Sequence, residues 1–128
     1  MLVQPMKIAI YCRVSTPRQG GIDRYSLPEQ HKDGQEFAKK NGFEFREYED
    51  IQSGKSVTRS GYLSLLEAIE ARKFDGLWIA REDRFARNAI AGLQLLEVLE
   101  EHKVRFFVGD KEYDPSSEDS KFIVRYGQ

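Results

Sequence analysis

The most constraining stretch of this chain is Gly76 to Arg81, Gly-Leu-Trp-Ile-Ala-Arg, because its apolar residues are consecutive rather than alternate. Successive side chains of a strand point to opposite faces, so such a strand has to be covered from above and below. Helices give that cover, and the flanking sequence supplies them. Residues 7 to 14, Lys-Ile-Ala-Ile-Tyr-Cys-Arg-Val, read as a central strand. Ser26-Leu-Pro-Glu29 is a capping box, with Pro tolerated in the first turn, and predicts a helix from about Leu27 to Asn41. Gly42 suits a C′ position of positive φ, and Phe43 to Tyr48 resumes an extended pattern. Tyr62, Leu65, Leu66 and Ile69 form one apolar stripe on a second helix, about Gly61 to Arg72. Asn88 can cap a third helix running to about His102, ahead of a buried strand from Val104 to Val108. Three strand-helix repeats predict a three-layer α/β domain, with a mostly parallel sheet of roughly four to five strands flanked by helices and right-handed crossovers.

The remaining segments read less regularly. Asp50 to Arg59 is polar and follows neither period, which predicts a mobile loop, and Gly109 to Ser117 reads as irregular. The third helix is apolar on more than one stripe, with Ala89, Leu93 and Leu96 on one side and Leu95, Val98 and Leu99 on another. A helix wedged between sheet and neighbouring helix explains this more simply than an exposed partner face. Lys121 to Tyr126 resembles the opening turns of a further helix. With 128 residues, residues 1–128 are expected to form one domain. Twenty Lys and Arg against twenty-one Asp and Glu leave a net charge of −1, so any contact with a polyanion has to be local. No apolar run approaches the length needed to span a bilayer, so no membrane partner is expected. The single cysteine, Cys12, excludes an internal disulfide and fits a cytoplasmic setting.

Ligands of parallel α/β sheets bind beyond the carboxyl ends of the strands. Three such ends carry reactive or cationic residues here: Arg13 and Ser15; Asp50, Ser53 and Arg59; and Arg81, Asp83, Arg84 and Arg87. Arg13 and Ser15 are two apart, which in extended geometry places them on one face. In a helical turn Arg84 and Arg87 share a face, with Asp83 four before Arg87. Arginine presents planar donors that match phosphate oxygens and keeps its charge in any environment. Several arginines around one hydroxyl therefore suggest phosphoryl chemistry, although Arg-Asp pairs are also common on α/β loops. Gln30 falls in the stripe of Leu27, Gly34, Phe37 and Ala38, facing the sheet near the start of its helix, where its amide needs a partner. That partner could equally be neighbouring loop backbone.

Other chemistries are poorly supplied. Ser53-Gly-Lys-Ser56 resembles the end of a P-loop, but the first glycine that motif requires is replaced by Glu49. His31 and His102 are far apart, and no Gly-x-Ser-x-Gly elbow exists, so a Ser-His-Asp hydrolase lacks its base. Nothing has metal-ligand spacing, and no metal or other cofactor is expected. Cys12 alternates with Ile8, Ile10 and Val14 on the face opposite Ser15, as packing does.

Tyr11-Cys-Arg-Val-Ser-Thr16, Ser26-Leu-Pro-Glu-Gln30, the Ser53-Gly54 loop with Arg59, and Asp83-Arg-Phe-Ala-Arg-Asn88 together resemble the catalytic domain of serine site-specific recombinases, the resolvase and invertase family. The match follows chain order over nearly the whole sequence. By that resemblance Ser15 is the nucleophile and Arg13, Arg84 and Arg87 bind phosphate, with Gln30, Arg59 and Asp83 in support. Asp50 and Ser53 match less specific polar positions. The resemblance implies metal-free DNA cleavage through a 5′-phosphoserine link, with Asp83 as proton donor or as a residue orienting Arg87. The segment between Ser15 and Gln30 is longer than in small resolvases and is similar to that of large serine integrases and transposon recombinases. The family continues into a long dimerisation helix and DNA-binding domains, and the chain stops where that helix would begin. DNA is therefore the expected partner, mainly through those further domains. A homodimer or tetramer is expected of the full-length protein, with weak or no association and no activity in these residues alone. Two alternatives stand beside this reading. One is a regulatory module that binds phosphate or a partner without chemistry, which the intact Ser15 and arginine set disfavours. The other is a flavodoxin-like small-ligand domain, disfavoured by the lack of a glycine-rich loop after the first strand.

Overall fold

A computed structural model of the protein describes residues 4–16, 25–53, 56–57, 60–81 and 89–126. In chain order its elements are β1 (Lys7–Thr16), α1 (Leu27–Lys40), β2 (Glu44–Ser53), β3 (Ser56–Val57), α2 (Ser60–Glu70), β4 (Gly76–Ile79), α3 (Ala89–Glu101), β5 (Arg105–Val108), β6 (Lys111–Tyr113) and α4 (Glu118–Tyr126). The strands form one sheet in the order β3-β2-β1-β4-β5-β6. Its four central strands are parallel, and the short edge strands β3 and β6 run antiparallel to their neighbours.

Both faces are covered, as the apolar β4 requires. On one face Ala9, Tyr11, Leu77, Ile79 and Phe106 pack with Leu65 and Ile69 of α2 and with Leu95, Leu96 and Leu99 of α3. On the other, Ile8, Ile10, Cys12, Trp78 and Phe107 pack with Ala38 and Phe37 of α1. Helix α3 is thus the wedged helix of the simpler reading, and Cys12 is fully buried packing whose thiol burial pushes well above its ordinary pKa. Among the described residues no helix is long and apolar enough to cross a membrane.

The edge of the sheet at the amino ends of its parallel strands is tightly finished. Helices α1, α2 and α3 end alike, with Gly42, Arg72 and Lys103 at φ 71°, 60° and 56°. In each case two backbone bonds close the end, as in Phe43 N–H to Ala38 at 2.8 Å with Gly42 N–H to Lys39 at 3.2 Å. That pair of bonds is the Schellman arrangement. Asp75 then ties three strands together: its carboxylate accepts from the Lys7 amide at 3.0 Å, its amide donates to the Lys7 carbonyl at 2.7 Å, and its carbonyl accepts from the Arg105 amide at 2.8 Å.

Two segments are more regular than expected. The 50–59 stretch is not a loop throughout, because β2 runs on to Ser53 and β3 returns at Ser56–Val57. Its polarity misleads: β1 extends to Thr16 and pairs with this stretch in register, Arg13 with Asp50 through Thr16 with Ser53, so ladder bonds rather than apolar burial hold it. The irregular 109–117 segment contains the β5–β6 hairpin. Its two-residue turn opens on Gly109 at φ 63°, where a type II′ turn places glycine.

Candidate active site

The sheet order reverses direction between β1 and β4, since β1 connects to β2 on one side and the chain later returns to β4 on the other. Such a switch point opens a crevice at the carboxyl ends of the two strands. Here the crevice is visible in the register. β1 pairs with β2 up to Thr16 and Ser53, but with β4 only up to Tyr11 and Ile79. Among the described residues, no strand lies on the β4 side of β1 past Tyr11.

Gln30 fills that gap. Its Nε2 donates to the Arg13 carbonyl at 3.0 Å and to the Tyr25 carbonyl at 2.8 Å, while its Oε1 accepts from the Arg13 amide at 3.2 Å. The side chain is fully buried. Local sequence places it there. Ser26 caps α1, accepting from the Glu29 amide at 3.3 Å. Gly34 lets the helix lie close on the sheet, since a Cβ at that position would stand 2.7 Å from Ile10 Cγ2 and 2.9 Å from Trp78. Neighbouring backbone, the alternative partner raised above, is present in the Tyr25 carbonyl, and the backbone of Arg13 in β1 is a partner the sequence did not name.

On the opposite side of β1, Asp50 is paired in register with Arg13 and is only 4% exposed. Its carboxylate accepts from the Tyr11 hydroxyl at 2.7 Å and from the Gly61 and Tyr62 amides at 2.8 Å each. Asp50 thus satisfies orphan amides at the positive end of α2, where a carboxylate is favoured. Gly61 is required for the approach: a Cβ there would lie 2.2 Å from the Glu49 carbonyl oxygen. Burial, then the hydrogen bond from its phenol to Asp50, holds Tyr11 well above its ordinary pKa.

Across the crevice, Arg81 comes two residues after Ile79, as Arg13 comes two after Tyr11. Its guanidinium lies 4.9 Å from the centroid of the Tyr25 ring, and the Tyr25 hydroxyl donates to Asp33. Burial, followed by the Asp33 bond, raises the Tyr25 phenol above its usual pKa.

Of the residues expected from sequence, the structure brings Arg13, Gln30 and Asp50 together at the switch point. Ser15 is in β1, two positions beyond Arg13 and opposite Gln52, and Ser53 ends β2. Arg59, Asp83, Arg84, Arg87 and the helix cap Asn88 lie outside the described residues. Sequence reasoning missed Tyr11 and Tyr25. Tyr11 shares the period of Arg13 and Ser15, a signal that could have found it; Tyr25, next to the cap of α1, carries no such signal. Among the described residues no group of His, Cys, Asp or Glu is placed to hold a metal ion. The arrangement offers a permanently cationic side chain beside a serine-bearing strand end, with the backbone of that strand end fixed from both sides.

The family described as resolvase, N-terminal domain, matches residues 8–126. A resolvase family site-specific recombinase from Streptococcus pneumoniae matches with a TM-score of 0.73 and 29% identity, over 93% of this chain and 83% of that one. The N-terminal catalytic domain of TP901-1 integrase matches at 0.71 and 28%, over 92% and 88%. The C-terminal catalytic domain of ISC1926 TnpA, an IS607-like serine recombinase, matches at 0.66 and 25%, over 92% and 75%. No curated protein sequence matches this chain.

Proposed function

The chain belongs to the resolvase N-terminal domain family, and on that premise we propose that it is the catalytic domain of a DNA site-specific recombinase, acting through Ser15. The Ser15 hydroxyl attacks a DNA phosphodiester in line. A bond forms from Oγ to phosphorus, the bond to the 3′ oxygen breaks, and a 5′-phosphoserine link and a free 3′-hydroxyl result. Attack by a 3′-hydroxyl on that link after strand exchange releases the serine. Arg13, Arg84 and Arg87 supply the positive charge that stabilises the crowded phosphorus, the largest single contribution in reactions of this kind. Asp83 serves as proton donor to the leaving oxygen or holds Arg87 in place, and Arg59 supports the phosphate. DNA is the substrate, and strand exchange between duplexes calls for more than one copy of the enzyme.

The observation that carries this reading is the grip of Gln30 on the backbone of Arg13. A fully buried amide is placed so that the strand end bearing Arg13 and Ser15 continues in extended form past its last pairing with β4. Preorganisation of that kind serves a reaction more than simple anion binding.

The test is to trap and denature the covalent adduct on a DNA half-site and map it by mass spectrometry. Attachment at Ser15, abolished in Ser15→Ala with DNA binding retained, is expected. Attachment elsewhere, or undiminished adduct in Ser15→Ala, overturns the mechanism, and DNA binding without any adduct favours the non-catalytic module.

A further inference from the structure

His31 has no part in the proposed reaction, yet it stands one residue after Gln30 with both of its ring nitrogens facing carboxylates. We propose that His31 is a positioning residue: with both ring nitrogens protonated it clasps Glu47 and Glu49, ties the first turns of α1 to β2, and so sets how firmly Gln30 holds the strand end of Arg13 and Ser15. The effect on the strand end stands on geometry alone, whereas its consequence for DNA cleavage rests on the function proposed above.

Three observations support it. First, Nδ1 lies 3.0 Å from a Glu47 oxygen and Nε2 lies 2.8 Å from a Glu49 oxygen. Ionised carboxylates only accept, and a neutral imidazole has one N–H, so both bonds form together only when the ring carries two protons. On losing one proton the ring turns a lone pair toward one of the two acids. Second, the clasp is held in place. The His31 side chain is 17% exposed, and Gln35, one turn further along α1, donates to the same Glu47 oxygen at 2.7 Å. Third, the clasp adjoins the grip of Gln30 on both sides: His31 follows Gln30 in α1, and Glu49 precedes Asp50, the β2 residue paired in register with Arg13.

The groups around the ring leave His31 as the titrating member. Helix α1 packs on β1, β2 and β4. β2 turns Glu47 and Glu49 toward α1, with Arg46, Tyr48 and Asp50 at the alternate positions. From β1 comes the buried Cys12, whose thiol is held well above its ordinary pKa by burial and then by the charges of Glu47 and Glu49. β4 brings no titratable side chain. On α1 itself Glu29 accepts from the Ser26 hydroxyl at 3.0 Å. Among the described residues, no Lys or Arg forms an ion pair with Glu47 or Glu49.

The experiment follows hydrogen exchange of the Arg13 amide, as a protection factor, in the protein carrying this chain at about pH 5.5 and about pH 8.5, either side of histidine's ordinary range. The protonated ring is the one that clasps, so wild type is expected to lose about threefold in protection as pH rises, the scale of one partly exposed charged bond. His31→Gln, which does not titrate, should show the lower protection at both pH values. Glu49→Gln offers the neutral ring an amide donor, and should keep the higher protection at both. In adduct formation on a duplex containing the recombination site, His31→Gln should lower kcat about threefold at the lower pH and not at the higher, with KM unchanged. Equal wild-type protection at the two pH values, a fall that persists in His31→Gln, or a kcat ratio that does not change with pH overturns the inference. Ser15→Ala assayed in parallel separates the two readings. Adduct surviving in Ser15→Ala defeats the proposed reaction and leaves the exchange result standing, whereas adduct lost there with flat exchange defeats only the clasp.

Discussion

Gln30 closes on the peptide of Arg13 with both ends of its carboxamide, donating to the carbonyl and accepting from the amide as a neighbouring strand would. A side chain from α1 thereby continues a ladder that β4 abandons at Ile79.

Replacing that amide exposes the dependence. Gln30→Leu leaves the Arg13 amide and the Arg13 and Tyr25 carbonyls without this partner, and should cost about 2–3 kcal/mol. Gln30→Glu should cost more at neutral pH, because a carboxylate would face two carbonyl oxygens. Burial against those oxygens raises the pKa of the introduced carboxyl, so stability is retained at low pH and lost as pH rises through that value. Denaturant midpoints against pH, and hydrogen exchange of the Arg13 amide, check this; equal stability of the Glu variant at acid and neutral pH contradicts it.

The buried carboxylate of Asp50 serves three donors, so Asp50→Ala should cost about 3 kcal/mol through a lost helix cap and unsatisfied amides. Tyr11→Phe removes one of those bonds and should cost about 1 kcal/mol. Combining the two should cost clearly less than their sum, since both remove the same contact. Additive losses in urea melts would mean that the hydroxyl acts elsewhere.

Two helix ends carry non-glycine residues where the backbone favours glycine. Arg72→Gly and Lys103→Gly should each stabilise by about 0.5 kcal/mol, the relief of left-handed strain outweighing the added freedom of the unfolded chain. Gly42→Ala should destabilise by about 1 kcal/mol for the same reason in reverse. Thermal melts of the three variants test the pattern, which fails if either glycine variant melts lower than wild type.

Arg105 holds Glu112 through two bonds of 2.7 Å, Nε to Oε2 and Nη2 to Oε1, and this keeps the Glu112 carboxyl below its usual pKa. A depressed carboxyl stabilises above the unfolded pKa of about 4.3, and its contribution is lost as pH falls through the lower folded value. Both side chains are nearly half exposed, so screening limits the pair to less than about 1 kcal/mol. Glu112→Gln should therefore lower the melting temperature slightly at pH 7 and not at pH 3. A deficit that persists unchanged at pH 3 would assign the effect to packing.

With a net charge of −1, residues 1–128 should bind duplex DNA no more tightly than ordinary non-specific complexes, about 10⁻⁴ to 10⁻⁶ M at physiological salt. Tight, site-selective gel shifts by these residues alone would contradict that expectation.

Where burial sets the pattern, the chain is readable from its letters. The double-sided β4, the Ser26 cap and the Gly42 stop each carry their signal locally, and the four parallel strands follow from them. Gln30 was legible as a polar residue on an apolar stripe, but its partner was not, because that depends on where β1 and β4 part company. β2 beyond Asp50 and the hairpin at Gly109 escaped detection because neighbouring strands, not their own side chains, make them extended. Tyr25 was invisible for a related reason: its contacts with Gln30 and Arg81 come from elements distant in sequence.

The finished edge also decides where the chain can gain or lose residues. Connections 41–43, 71–75 and 102–104 are short turns locked by Schellman bonds and by the three strands meeting at Asp75, so an inserted residue there breaks hydrogen bonds and slips a strand. Connections 17–26 and 80–88 leave from the carboxyl edge instead, and doubling a loop's length costs only about 0.6 kcal/mol in closure entropy. Length is fixed at the amino rim, so variants with grafted or extended segments should be built at the opposite one.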